Sequence, residues 1–362
     1  MEVIDFPEDA KVASIEVPGF STAPPALSDA LLIPPDVLQL LQPVWSAGQF
    51  PARTVSVYRL RDAVIAGNGL VLDRQGRIYR GSIADHLAPD LTRASFAALA
   101  HDLPALPGTA ILCKKPGMTS YRRWLIDMLP NYWLARRHPA LAPLNLVDAA
   151  IIVHDTSGPL RQVVADSLNM FGNPMPIITF VPDMALRIAD LIVIDGLTAD
   201  AQYLSPLSIK ACTELAADVH TGPPQLLFVS RTGTAGCNFA DSLAADAVAR
   251  ALGWTVVHQE QRNFRTQVAL FKGALGIAGI HGDGLANMVF ALPRTRVINL
   301  APAAMMDNSL WFVAQLRGQR YEEVRCAQTI GQPGRAAQDC DLRMHPAELG
   351  AMLRRVRDEI LG

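Results

Sequence analysis

The sequence predicts an α/β protein in which two doubly wound halves, each a parallel sheet covered by helices on both faces, follow an N-terminal β-meander. Three observations predict it. Residues 54–80 hold short β-rich runs broken by turn signals. From residue 108 onward short apolar runs alternate with stretches of helical spacing. Residues 225–300 read as β-α-β-α-β-loop-α-β. A strand that is followed each time by a helix pairs in parallel with its neighbours, and parallel strands are buried on both faces, which is why they read as continuous apolar runs.

The elements follow in order. Residues 18–52 are rich in proline (Pro18, Pro24, Pro25, Pro34, Pro35, Pro43, Pro51) and read as an irregular arm. Thr54 to Leu60 is a strand, Gly67-Asn68-Gly69 a turn, Leu70 to Asp73 a strand and Arg74 to Arg77 a second turn, giving a meander of about three strands. Thr109 to Cys113 is a short strand. Tyr121 to Arg137 has helical spacing, with Trp124, Leu125, Met128, Tyr132 and Leu134 on one side, and Pro130 should kink or split it. Ala149 to Val153 is a strand, Pro159 to Phe171 a helix, and Ile177 to Val181 and Leu191 to Ile194 are strands.

In the second half Ser205 caps a helix over Pro206 to Val219, and Gln225 to Ser230 is a buried-type strand. Asn238 caps a helix to Leu252, with Leu243, Val248 and Leu252 on its buried face and Gly253 ending it. Thr255 to His258 is a strand. Asn263 caps a helix through Lys272 with Phe264, Val268 and Phe271 inward. Gly276 to Ile280 is a strand that runs into a glycine loop and helix over residues 281–290. Arg296 to Leu300, a helix over Asn308 to Arg317, a strand over Tyr321 to Arg325 and an amphipathic helix over Pro346 to Leu361 complete the chain.

Composition narrows the function. The 362 residues are 50% hydrophobic and 18% charged, enough for one large or two ordinary cores. A formal net charge of −2 supplies no basic field, which argues against nucleic acid as a partner. The acidic start Met1-Glu2-Val3-Ile4-Asp5 lacks a secretory pattern, and no run of about 18 uncharged apolar residues occurs. The five cysteines are scattered and form no Cys-x-x-Cys pair, so neither a zinc site nor a disulfide frame is expected. The expected location is cytoplasmic, and peripheral membrane contact is compatible with the composition.

Three motifs carry chemistry. In His281-Gly282-Asp283-Gly284-Leu285-Ala286-Asn287 the glycines let the backbone take positive φ close to a ligand, and the helix that follows aims its N–H groups at the loop, a place for a diphosphate. A tight turn with a backbone-satisfied histidine is the plainer alternative. Ser230-Arg231 ends a parallel strand, where ligands of open α/β sheets bind and where a guanidinium can hold phosphate. The segment 232–237, with two glycines and small polar residues, could wrap the same ligand. Arg123 and Asp127 are four apart on one helix face, either an exposed ion pair or a cation beside an acid/base carboxylate. Trp254 and Trp311 read as packing, Arg354, Arg355 and Arg357 as a solvated helix face, and Asp339-Cys340-Asp341 as a solvated loop.

These motifs together resemble glycosyltransferase family 61, which includes capsular polysaccharide biosynthesis proteins of bacteria. The resemblance rests on Ser230-Arg231, Gly253-Trp254, Phe264 with Gln267, His281-Gly282-Asp283-Gly284-Leu285-Ala286-Asn287, Phe290 with Pro293, and Arg296-Val297-Ile298. Trp124, Leu125, Asp127, Leu129 and Pro130 match in the N-terminal half, and the likeness covers about residues 54–325. The chain departs from the family pattern at Arg123 (usually His), Asp283 (usually small), Arg294 (usually Gly) and Asn299 (usually Glu).

The resemblance implies a GT-B fold: two Rossmann-like domains facing a cleft, behind the β-meander. The corresponding division is an arm over 1–53, an acceptor-side domain over 54–203, a nucleotide-sugar domain over 204–340 and a C-terminal helix over 341–362. It further implies inverting transfer from a nucleoside-diphosphate sugar, a UDP-sugar first, to a saccharide or lipid-linked acceptor in surface polysaccharide synthesis, with no cofactor and no metal. Asp127 and His281 are the expected catalytic residues, and Ser230, Arg231, Gly282, Asp283, Gly284, Leu285 and Asn287 the expected donor-binding residues. A non-catalytic nucleotide- or glycan-binding relative, motivated by the departures, is the second reading. A dinucleotide oxidoreductase is the third, opposed by the lack of Gly-x-Gly-x-x-Gly after the first strand of either half.

Overall fold

The computed structural model describes residues 2–84, 86–100, 102–117, 120–156, 158–172, 175–180, 184–199, 201–231, 237–258, 261–329 and 339–362. The chain divides into two compact units. The first comprises residues 1–18 and 52–215, the second residues 19–51 and 216–362. Strands β1 (Val3–Ile4) and β2 (Lys11–Val17) belong to the first unit. Strands β3 (Phe20–Ser21) and β4 (Ala26–Ser28), helix α1 (Pro35–Trp45) and β5 (Gln49–Phe50) belong to the second.

The first unit is built on one mixed sheet. The meander is β6 (Arg53–Ala66), β7 (Leu70–Leu72) and β8 (Ile78–Tyr79). After α2 (Ala88–Ala98) come β9 (Ala105–Cys113), the short α3 (Tyr121–Arg123), a π-helical turn over Trp124–Met128, and α4 (Leu129–Arg137). Then follow β10 (Ala150–His154), α5 (Gly158–Met170), β11 (Ile177–Phe180), β12 (Ala185–Asp195), a ribbon of β13 (Thr198–Ala199) and β14 (Tyr203–Leu204), and α6 (Pro206–Leu215). The sheet runs β1-β8-β7-β6-β12-β9-β10-β11, with β2 also paired to β6. Strands β9 to β12 are parallel, whereas β6 meets β12 antiparallel. The parallel part therefore winds outward from β9 through β10 to β11 and returns to β12 on the other side of β9. Between β9 and β12 lies a switch point, where the carboxyl ends of diverging strands leave a crevice.

The second unit holds β15 (Gln225–Ser230), α7 (Ser242–Ala251), β16 (Thr255–His258), α8 (Phe264–Lys272), β17 (Ala274–Ile280), a 3-10 helix over Asp283–Phe290, and β18 (Arg296–Pro302). It ends with α9 (Ser309–Arg317), β19 (Arg320–Gln328), β20 (Leu342–Arg343) and α10 (Pro346–Leu361). The sheet order β16-β15-β17-β18-β19-β20 is parallel from β16 to β19 and reverses between β15 and β17, a second switch point. Strand β4, from the N-terminal region, pairs in parallel with β19, and Ser28 donates to Glu322 at 3.0 Å. Trp254, Phe228, Ile298, Leu349 and Leu353 share one buried core cluster of this unit. Its cysteines and those of the first unit are all buried, and none of them forms a disulfide.

Both halves are α/β with parallel strands, as expected, and several local readings change. The prolines of 18–52 do not make an irregular arm: Pro35 opens α1, whose Val37, Leu41 and Trp45 are buried. The segment Tyr121–Arg137 is divided by a π turn just before Pro130. A proline ring clashes with the preceding helical turn and offers no N–H, and a widened turn accommodates both defects. Helix α7 is capped by Asp241, which accepts from the Ala244 N–H at 2.9 Å, not by Asn238, and Leu243 is exposed because it follows the cap on the outer face. Helix α6 stops at Leu215 rather than Val219. Trp254 and Trp311 are buried packing residues. Arg355 does not simply face solvent, since it donates to Glu322 at 2.9 and 3.0 Å. Asp341 is a tie rather than a solvated residue: its carboxylate accepts from the Asn238 N–H at 3.0 Å, and Cys340 beside it is buried. No helix among the described residues is long and apolar enough to cross a membrane.

Candidate functional site

Each unit places polar side chains at its own switch point. In the second unit β15 ends at Ser230, which is buried, and delivers Arg231; β17 ends at Ile280 and delivers His281 and Gly282. Arg231 Nη1 donates to the carbonyl of His281 at 3.1 Å, so the two strand ends are tied together. Gly282 has φ +143°, and a Cβ there would stand 2.3 Å from Arg231 Nη1. Only glycine lets the guanidinium lie over this turn. Gly284 does not take positive φ, contrary to expectation, because it already lies within the 3-10 helix. That helix, tighter than the α-helix expected, begins at Asp283 with no side-chain cap at Gly282.

His281 is 3% exposed. Its N–H donates to the Leu300 carbonyl at 2.9 Å, its Nδ1 is 3.1 Å from Asn299 Nδ2, and its Nε2 is 3.9 Å from Asp307 Oδ2. Asp283 is half-buried at the helix start. Leu285 and Asn287 lie deeper, both wholly buried. Asn287 donates to Gln267 at 3.0 Å, and Gln267 donates to the Arg262 carbonyl at 2.9 Å, which fastens the turn to α8. Residues 232–236 of the expected wrapping segment lie outside the described residues.

Asp127 belongs to the first unit, in the π turn. The expected pairing with Arg123 is present at 3.9 Å, but it is not exposed: Asp127 is 8% exposed. Lys115 is closer to the same carboxylate, 3.1 Å from Oδ2, and also donates to Thr198 at 3.3 Å. Asp127, Lys115 and Thr198 line a cavity of about 100 Å³ at the β9/β12 switch point, together with Lys114, Asn131 and Asp195. Lys114 is 2% exposed, and burial pushes it down to about 8 against an opposing pull from Asp155. Burial likewise pushes the Asp195 carboxyl up, partly offset by the Gly196 N–H. Asn131 is buried, and its Oδ1 has no hydrogen-bond partner among the described residues. A cavity with one unmet acceptor, an ion pair and a desolvated amine suits hydroxyl groups better than an apolar ligand.

Lys114, Lys115, Asn131, Asp195 and Asp307 were not among the expected site residues. Two adjacent lysines directly after the apolar strand Ile111-Leu112-Cys113 were a usable signal, since they fall at a parallel strand's carboxyl end.

Each unit thus carries its own polar site at a switch point. Residues 121–298 match the family model described as Glycosyltransferase 61. That stretch is a glycosyltransferase family 61 domain, and the protein is a glycosyltransferase, taking a sugar donor and an acceptor. The match includes Asp127, Ser230, Arg231 and the loop from His281 to Asn287; Lys114, Lys115 and Asn299 lie outside it. No curated protein matches the chain.

Proposed function

We propose that the protein transfers a sugar, with inversion and without a metal, from a nucleoside-diphosphate sugar to a saccharide or lipid-linked acceptor in the cytoplasm, as a step of surface polysaccharide synthesis. The donor is a UDP-sugar in the first instance. The observation that carries this reading is the tie between Arg231 and the His281-Gly282 turn at the switch point of the second unit. It sets a guanidinium and an imidazole beside a helix start, the groups that stabilise a departing diphosphate. Asp283 and Asp307 are part of the same neighbourhood, so the diphosphate is held by directed donors rather than by net positive charge.

On this reading the first unit holds the acceptor in the cavity beside Asp127, and the arrangement is of GT-B type. Asp127 takes the proton of the attacking hydroxyl, and Asn131 Oδ1 accepts from a neighbouring hydroxyl. Asp127→Asn should lower kcat by about 10²-fold or more, the usual weight of a general base; near-normal turnover would remove it from that role.

The donor site is tested by melting temperature with UDP, GDP, ADP and CMP, on the wild type and on His281→Ala and Arg231→Ala. A ligand of the folded state at 100 times its Kd stabilises by about 2.7 kcal/mol. One nucleotide should raise the wild-type melting temperature and neither variant should respond. A wild type that responds to none of the four contradicts the nucleotide-sugar donor.

A further inference from the structure

Behind His281 runs a continuous chain of buried polar side chains. Asn299, wholly buried, has its Nδ2 3.1 Å from His281 Nδ1, 2.7 Å from the Tyr321 hydroxyl and 3.3 Å from Glu323 Oε2. Tyr321 donates to Glu323 Oε2 at 2.8 Å. Burial, and then the Glu323 carboxylate, push the Tyr321 hydroxyl well above its usual value, so it keeps this proton. Glu323 is also bound by Arg325, which is 1% exposed and donates to the carbonyls of Pro302 at 3.1 Å, Ala303 at 3.3 Å and Met305 at 2.8 Å.

One arrangement of protons fits this chain, and it leaves Asn299 Oδ1 and His281 Nε2 without hydrogen-bond partners among the described residues. Tyr321 has a single proton, given to Glu323, so its oxygen accepts from Asn299. Asn299 has a second N–H, and of its remaining neighbours His281 Nδ1, at 3.1 Å, is nearer than Glu323 Oε2, at 3.3 Å. Turning the amide over would set its oxygen against the Glu323 carboxylate. A His281 ring that accepts at Nδ1 carries its proton, when neutral, at Nε2. That nitrogen has no hydrogen-bond partner among the described residues; the nearest carboxylate, of Asp307, is 3.9 Å away.

We propose that Asn299 is a positioning residue that holds the neutral His281 ring with its proton on Nε2, so that the ring offers a hydrogen-bond donor, and not a base, to a phosphate oxygen at the second unit's switch point. The oxyanion part rests on the donor-site reading above; the proton position does not. The consequence for the reaction is a division of labour: His281 serves the leaving group and cannot accept the proton of the attacking hydroxyl.

The test is the nitrogen spectrum of the full-length protein labelled with 15N-histidine, at alkaline pH, with His281→Gln identifying the resonances. The expected pattern is an unprotonated Nδ1 and a protonated Nε2. A protonated Nδ1 overturns the proposal, whatever the protein binds. Inorganic pyrophosphate and UDP are then titrated in, and the Nε2–H resonance should move with both. In Asn299→Asp the carboxylate accepts an Nδ1 proton, so the pattern should reverse and pyrophosphate should bind at least tenfold more weakly. Should that variant not fold, the wild-type spectrum and titration decide alone. An Nε2–H pattern with no response to either anion overturns the oxyanion part and the donor-site reading, and leaves the proton assignment standing.

Discussion

At the carboxyl end of β9 an amine sits where water hardly reaches. The unfolded chain holds Lys114 protonated up to its ordinary value of 10.5, whereas the folded chain releases the proton from about pH 8. The unfolded state therefore binds more protons between those values, and folding stability rises with pH across that window. Below pH 8 the desolvation penalty is present in full, up to about 3 kcal/mol for a shift of this size. Lys114→Met should thus stabilise the fold at pH 7, flatten the rise of stability between pH 8 and 10.5, and lower transfer if the cavity holds the acceptor. Denaturation at several pH values and a transfer assay read both effects. At the other site Gly282→Ala should weaken UDP binding about tenfold or more, since the methyl displaces Arg231 and the backbone is strained at φ +143°. Calorimetric titration with UDP measures it, and unchanged affinity would mean that Arg231 is not a ligand. Of these residues the sequence announced Gly282, Arg231 and His281, because glycines and a strand-end arginine have local signatures. It marked Lys114 only as a strand-end lysine and Asn131 not at all, because burial of that lysine and an unmet amide oxygen depend on what the rest of the sheet places around them.

The elements repeat this contrast. Asn263 caps α8 by accepting from the Thr266 N–H at 2.8 Å, as its position before a helical run suggested. For α7 the expected cap, Asn238, stands three residues too early. Asp241 is the cap, and the Asn238 N–H donates to Asp341, a partner about a hundred residues away in sequence that no local rule discloses. Asp241→Ala should cost about 1 kcal/mol, readable as a lower melting temperature with activity retained. The π turn at Trp124–Met128 puts Asp127 one residue out of a regular helical register, immediately ahead of Pro130. Pro130→Ala removes the ring that the wide turn accommodates. It should leave stability near wild type or above it and lower kcat at least about tenfold as Asp127 shifts. Unaltered kcat would detach the turn from catalysis.

For the whole molecule, acid is the lever the ion pairs define. Burial alone would push Asp190 and Glu322 up. The hydrogen bonds to Asp190 from Arg59 and Thr109, and to Glu322 from Arg355 and Ser28, bring both below their usual values. Their contribution is complete above an ordinary carboxylate value of about 4 and is lost as pH falls through the lower folded values. Both units should therefore weaken below about pH 4, and Arg59→Leu should flatten the acid limb for the first unit, measured by urea denaturation from pH 3 to 6. The α/β alternation was legible because its strands and helices are sequence neighbours. The role of residues 19–51 was not, since β4 finds β19 only in three dimensions. That pairing also has a temporal side. Ser28 and its partner Glu322 are 294 residues apart. At ordinary synthesis rates of roughly 5–20 residues per second, β4 leaves the ribosome on the order of 15–60 s before β19 exists. Throughout that interval the growing chain carries the face of α1 that the finished fold buries, Val37, Leu41 and Trp45, with β19 not yet made, while the first unit gathers its own strands from both sides of the inserted stretch. The order of birth thus runs against the order of assembly, and the nascent protein, more than the finished one, is where this fold is exposed to aggregation and to help from chaperones.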